Sequence, residues 1–134
     1  MEEIAIMFEI QKLEQKIAKY KRSINSLNKK IKDCEDGLAE LSEYENKVDS
    51  RLNEEDSKWK NICSGLPCHK FTSNCQAKTA QLFAGEKYYN FQLQVSEQRK
   101  TLNDEILEYE DEIKKLRNKI SRAEDEIRVL KSKL

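Results

Sequence analysis

The chain has no long apolar run, no excess of either charge, and little proline, glycine, histidine or tryptophan. A helix that spans a bilayer needs about 20 consecutive apolar residues, and no stretch approaches that length. The first residues, MEEIAIMFEIQ, are acidic where a signal peptide is basic, so we do not expect Sec export. Because Lys and Arg balance Asp and Glu, the composition gives no support for a nucleic-acid-binding protein.

Apolar residues are scarce as well, at 37% of the chain against roughly 45–50% in average globular proteins. Charged residues reach the same 37%, against about 25% in those proteins. Such a chain cannot build a thick core, yet its Leu and Ile recur too regularly for a disordered segment. Long solvated helices with one apolar seam fit both observations.

In the first half, apolar residues recur at alternating steps of four and three, and only Glu45 breaks the pattern. The first seam comprises Ile6, Ile10, Leu13, Ile17, Tyr20, Ile24, Leu27, Ile31, Cys34, Leu38, Leu41, Glu45, Val48 and Leu52. These steps average about 3.5 residues, which is the period of a left-handed coiled coil. Within this seam, we interpret Cys34 as a small hydrophobic residue.

The second half repeats the pattern with one slip of phase between Val95 and Leu102, where Gln98 or Arg99 falls at the seam. The second seam comprises Tyr88, Phe91, Val95, Leu102, Ile106, Tyr109, Ile113, Leu116, Ile120, Ala123, Ile127, Leu130 and Leu134. We interpret the slip as a stutter that locally unwinds the supercoil.

Between the seams, Gly65 and Pro67 disfavour a continuous helix, and Ser73 has capping-box spacing to Gln76. The sequence therefore predicts an all-α fold, a long antiparallel two-helix hairpin that could assemble into a four-helix bundle. We expect a single domain over 1–134, with helix 1 at about 2–56, a tip at 57–73 and helix 2 at about 74–134.

Two charge blocks favour the same topology. Residues 10–32 carry eight Lys or Arg and one Glu, whereas residues 97–112 carry seven Asp or Glu and two Lys or Arg. Folding at about residue 65 places these blocks side by side, with Leu13 near Leu116, and opposite charges favour that arrangement. The alternative is that both blocks are simply solvated faces.

The predicted tip and its surroundings hold soft metal ligands at Cys63, Cys68, His69 and Cys75. Zinc prefers such ligands, but there is no Cys-x-x-Cys pair, and Cys68 and His69 are adjacent. We expect no bound metal and reduced thiols at a hairpin turn. A zinc site that staples the hairpin and a structural disulfide remain the alternatives.

Aromatic residues cluster near the turn, where we expect Tyr44 to lie opposite Tyr88. Because Tyr88 and Tyr89 are neighbours, both cannot face the seam. Several apolar residues also fall beside the second seam, and a stripe this wide favours an additional packed helix. The predicted partner-binding residues are Leu82, Phe83, Tyr89, Leu93 and Leu107.

A tryptophan at the tip between two heptad-rich helices resembles the small WXG-type proteins of type VII secretion. The chain is more similar to the YwqH-like family, whose genes accompany LXG polymorphic toxins. Trp59, Asn61 and Phe71 occupy the positions of the family's tip motif, with Asn61 where the motif has glycine. Asparagine tolerates positive φ better than most residues, so a turn at Asn61 is compatible with this sequence.

The resemblance implies a non-catalytic adaptor or targeting partner of a larger helical protein, such as the N-terminal domain of an LXG-type toxin. The alternative is a structural coiled coil that self-associates. We expect no cofactor, no nucleic acid and no membrane insertion. We also expect a cytoplasmic location, with signal-peptide-independent export beside a partner as the alternative.

Overall fold

The computed structural model describes residues 2–64 and 85–134, apart from the side chains of 59, 60, 62–64 and 86. Helix α1 spans Glu2–Ser64 and helix α2 spans Glu86–Ser132. The two helices pack against each other, and the described residues contain no strand. The predicted all-α helical hairpin is therefore confirmed.

The helix ends follow from local sequence. Glu2 and Glu3 place negative charge in the first turn of α1, where the helix dipole favours it. Helix α2 begins where the Gly85 carbonyl accepts a hydrogen bond from the Tyr89 amide at 3.1 Å. Lys131 lies in the last turn of α2, where a cation is favoured.

The chain divides into two compact units. Unit 1 consists of Met1–Glu35 with Asn103–Leu134, and unit 2 consists of Asp36–Leu102. Each unit therefore contains a segment of α1 and a segment of α2.

Unit 1 is held by an aliphatic core. Ile24, Leu27 and Ile113 form its centre. Partly buried side chains pack around this centre, namely Ile31, Tyr109, Leu116 and Ile120. Burying aliphatic side chains from both helices supplies the main stabilisation of such a pair, at roughly 25 cal/mol per Å² of apolar surface.

The helices run antiparallel within unit 1. Lys119 of α2 lies over the ring of Tyr20, whereas Tyr109, nearer the start of α2, lies beneath Lys30. As the residue number in α1 rises, the residue number of its partner in α2 therefore falls. The same order holds in unit 2, where Gly37 lies beside Leu102 and Asp49 lies beside Tyr88.

Both predicted seams face inward. Every residue of the first seam is buried or half-buried, and so is every residue of the second seam except Leu134. At the slip of phase Arg99 is half-buried and Gln98 is exposed, so Arg99 occupies the seam there. The heptad pattern therefore identified the buried faces correctly.

The predicted pairing of Leu13 with Leu116 is wrong. Leu13 shares a groove with Leu130, and Leu116 shares one with Leu27. Leu13 and Leu27 are two heptads apart, about 21 Å along a helix. A seam of repeating apolar positions accepts several registers and therefore does not fix one, and the register inferred from the charge blocks was wrong.

The limits of the helices differ from expectation at the end of α1. Helix α1 continues to Ser64 rather than ending near residue 56, so residues 57–64 of the predicted tip are helical. The rest of the tip and the predicted start of helix 2 near residue 74 lie outside the described residues.

Candidate functional site

The tip motif lies partly within α1. Trp59 and Asn61 are both in that helix, the side chain of Trp59 is outside the description, and Asn61 is exposed. Asn61 does not adopt the turn conformation that the sequence allowed, because the described residues contain no positive φ. Phe71 lies outside the described residues, so the motif's packing remains a prediction.

The predicted metal ligands also fall largely outside the description. Cys63 lies at the end of α1 with its side chain undescribed, and Cys68, His69 and Cys75 lie between residues 65 and 84. Elsewhere, the described side chains form no group of three or more His, Cys, Asp or Glu that could hold a metal ion. The prediction about zinc therefore stays a prediction.

The predicted partner surface is exposed where it is described. Tyr89 is 60% exposed and Leu93 is 43% exposed. They lie one turn apart on the same side of α2 in unit 2, where residues four apart are neighbours. Leu107, in unit 1, is also exposed, and Leu82 and Phe83 fall outside the described residues.

The strip formed by Tyr89 and Leu93 lies beside an aromatic cluster that faces α1. The rings of Tyr88 and Phe91 stack at 6.3 Å, and the Tyr44 ring meets Phe91 edge-on at 5.7 Å. The expected Tyr44–Tyr88 pair is thus replaced by contacts through Phe91. Such ring contacts contribute about 0.5–1.5 kcal/mol beyond burial, and they fix the orientation of this part of α2.

Two polar contacts join the helices in unit 2. The Tyr88 hydroxyl donates a hydrogen bond to Asp49 Oδ1. This hydrogen bond, together with desolvation and the charge of Asp49, raises the pKa of Tyr88. Arg99 Nη2 lies 2.7 Å from Glu45 Oε2, so the polar residues of the two seams pair with each other.

The sequence underestimated a second apolar surface, which belongs to unit 1. Ile4, Met7, Phe8 and Leu134 line one groove, and each of these side chains is more than half exposed. Ile4, Met7 and Phe8 lie off the first seam, and that spacing was the available signal. We call these four residues the terminal patch.

On another side of unit 1, lysines surround the groove that contains Leu27 and Leu116. The Lys30 amine lies 5.7 Å from the centre of the Tyr109 ring, and the Lys119 amine lies 5.9 Å from that of Tyr20. Each contact crosses from one helix to the other. Cation–π contacts at exposed sites contribute about 0.5–1 kcal/mol, so they help to hold both amines beside the groove.

Known proteins give no guide to the role of these surfaces. Comparisons with protein-family models, with curated proteins and with solved structures found no match. Within the described residues, no helix is both long enough and apolar enough to cross a membrane. The functional argument therefore depends on the described surfaces.

Proposed function

We propose that this chain is a non-catalytic adaptor that binds a larger helical protein. The supporting observation is the exposed strip of Tyr89 and Leu93 beside a filled seam in unit 2. Aromatic residues are enriched in protein interfaces, and a helical partner can place its apolar face on such a strip. The contacts of Tyr88 with Asp49 and of Phe91 with Tyr44 of α1 keep the strip in a fixed orientation.

The identity of the partner is a finer proposal, and it rests on the resemblance to the YwqH-like family. That family implies the N-terminal helical domain of an LXG-type toxin in type VII secretion. We propose that complex formation takes place in the cytoplasm, before any export of the toxin.

The test is co-purification of this chain with the N-terminal domain of an LXG-type toxin. Tyr89→Lys with Leu93→Lys should abolish the complex, because two charges would enter the apolar contact. The circular dichroism spectrum of the free variant should stay that of the parent, since both side chains lie outside the seam.

Asn90→Lys with Gln94→Lys is the matched control. Both residues are exposed on α2 with the same spacing, and the control gains the same charge. The control should retain the partner. Equal binding by the Tyr89/Leu93 variant would show that the strip is not the docking surface, and unfolding of that variant would show that it belongs to the core.

The terminal patch favours a second candidate function, a structural coiled coil that self-associates. Apolar side chains such as Phe8, which is 62% exposed, are commonly covered in oligomers. Sedimentation equilibrium of the chain alone tests this candidate. A dimer that Met7→Lys with Phe8→Lys converts to a monomer would support self-association through the patch.

A metal-stapled hairpin is the remaining alternative, and it rests on Cys63, Cys68, His69 and Cys75 in the sequence. Zinc analysis of the purified protein, followed by thermal unfolding with a chelator, tests it directly. Stoichiometric zinc and a large loss of stability on chelation would favour the stapled hairpin over the adaptor with free thiols.

A further inference from the structure

A groove along one side of unit 1 combines an apolar floor with cationic walls. Leu27 and Leu116 form the floor, and Lys30, Lys115 and Lys119 stand beside it. We call this surface the basic groove. All three lysines are exposed, whereas Leu27 is buried and Leu116 is half-buried.

The positive charge continues along the same side of α1. Lys16 and Lys30 each lie one heptad from Ser23, so the coiled-coil period places all three on the groove side. No acidic residue occurs in α1 between Lys16 and Lys32, and none occurs in α2 between Lys114 and Arg122. Glu112 is the acid that lines the basic groove, whereas Lys16 lines the next groove along, together with Glu9, Asp125 and Glu126.

Few of these cations are neutralised by neighbours. Among the described ion pairs, Lys115 lies 3.2 Å from Asp111 of its own helix, and both side chains are well exposed. Lys30 and Lys119 instead lie over tyrosine rings, which leaves their charges in place. Exposed ion pairs stabilise a protein little, so a ligand can compete for Lys115 as well.

Two small residues of α1, Ser23 and Ser26, also line the groove. Longer side chains at these positions would narrow it. A groove between two packed helices follows their axes, and helices pack at interaxial distances of about 8–10 Å. Its natural occupant is therefore a third helix.

From this combination we infer that the basic groove binds an acidic amphipathic helix of a protein partner. The apolar ridge of that helix lies on Leu27 and Leu116, and Asp or Glu side chains beside the ridge meet Lys30, Lys115 and Lys119. A nucleic-acid backbone matches the charges but offers no apolar ridge. This inference rests on the proposed function in one respect, namely that the chain binds helical proteins.

A second copy of the chain is the alternative occupant, because the exposed Ile4, Met7 and Phe8 of its terminal patch share their groove with Glu14. The homodimer is therefore one outcome of the test below. The other exposed apolar position near acidic residues offers no ridge. Leu107 is an exposed apolar residue of unit 1 with acidic neighbours, among them Asp104, Glu108 and Asp111. A ridge needs further apolar residues three or four positions away, and there α2 carries Asn103, Asp104, Glu110 and Asp111.

The test uses synthetic helices rather than an unidentified partner. The probe is a fluorescent peptide of three heptads with Leu on one ridge and Glu beside it, and its match has Lys in place of every Glu. We expect the acidic peptide to bind the full chain at least about tenfold more tightly than the basic one. Raising the salt from 50 to 500 mM should weaken binding of the acidic peptide by about tenfold.

Matched variants locate the site. Lys30→Glu with Lys115→Glu and Lys119→Glu, the three lysines that line the groove, should remove binding of the acidic peptide. The control variant carries Lys21→Glu, Lys32→Glu and Lys114→Glu, which makes the same change of charge at exposed positions outside the groove. The control should keep most of the affinity. A glutamine version of the groove variant should also lose binding, and it avoids introducing new acidic groups into the fold.

Four outcomes would overturn the inference. Two concern the peptides: equal binding of the acidic and basic peptides, and equal loss of acidic-peptide binding in the groove and control variants. The third is tighter binding of a DNA duplex of about 20 base pairs than of the acidic peptide. The fourth is a homodimer that only the groove variant disrupts. The proposed function has a separate readout, because toxin-domain binding that depends on Tyr89 and Leu93 can persist when the groove inference fails.

Discussion

In unit 1 the buried residues are almost all aliphatic, whereas in unit 2 an ion pair, a hydrogen bond and ring contacts join the helices beside the buried Val95. Ile24, Leu27 and Ile113 form the centre of unit 1. In unit 2 an ion pair joins Glu45 to Arg99 between the helices. A hydrogen bond joins Tyr88 to Asp49 between the same helices. Aliphatic seams supply stability but accept several registers, while a polar pair within a seam favours one register. The comparison assigns stability mainly to unit 1 and register mainly to unit 2.

The largest expected effect is the loss of a core side chain in unit 1. Ile113→Ala should lower the free energy of unfolding by about 2–5 kcal/mol, because it leaves a cavity among aliphatic neighbours. Leu107→Ala on the same helix is the control, and it should change stability by less than about 0.5 kcal/mol since Leu107 is exposed. Urea denaturation followed by circular dichroism measures both. Similar losses in the two variants would contradict the assignment of stability to the core.

The Glu45–Arg99 pair should matter less for stability than for register. Each side chain is about one-third exposed, so either single change to Ala should cost about 0.2–1 kcal/mol. Replacing both by Leu should leave stability unchanged or raise it, as hydrophobic replacement of ion pairs often does.

Register is measured separately, by distances between spin labels at Ser42 and Lys100 in unit 2. The parent should give one narrow distance distribution, and the double-leucine variant a broader one. A narrow distribution in the variant would show that other contacts set the register.

Replacing Gly37 should raise stability, by less than the core substitution lowers it. Gly37 lies inside α1, and a Cβ atom there would meet Leu102 Cδ1 at 3.5 Å, which is an ordinary contact. Gly37→Ala should therefore stabilise the chain by about 0.5–1 kcal/mol through helix propensity. Thermal unfolding measures this, and a destabilised variant would mean that the helices approach more closely than this contact indicates.

The smallest expected effect concerns pH. The pKa of Tyr88 is raised in the folded state. The stability that this group contributes to the fold is therefore fully present below about pH 10, and it is lost as the pH rises through the raised pKa. Stability measured between pH 9 and 11.5 should therefore fall more in the parent than in Tyr88→Phe. Parallel curves would show that the Tyr88–Asp49 hydrogen bond has no such role.

The sequence predicted the buried faces well, because burial depends on a spacing that repeats many times along the chain. It did not predict the register, since shifting two heptad seams by a heptad preserves their apolar contacts. The pairing of Glu45 with Arg99 could have served as a constraint, as both were visible as polar breaks in the seams. The basic groove was hidden because its lysines come from two separate segments whose charges the whole chain balances.

The rate at which the Cys34 thiol is alkylated is a measure of how tightly unit 1 is packed. This thiol is buried and donates a hydrogen bond to Glu105 Oε2 at 3.5 Å. Burial raises the pKa of Cys34, and the contact with Glu105 adds to this shift, so the reactive thiolate is scarce while the helices are packed. Alkylation of Cys34 then has to wait for local opening of the two helices. The labelling rate at this one sulfur therefore reports how often unit 1 opens, and a bound helix that clamps the unit would slow it.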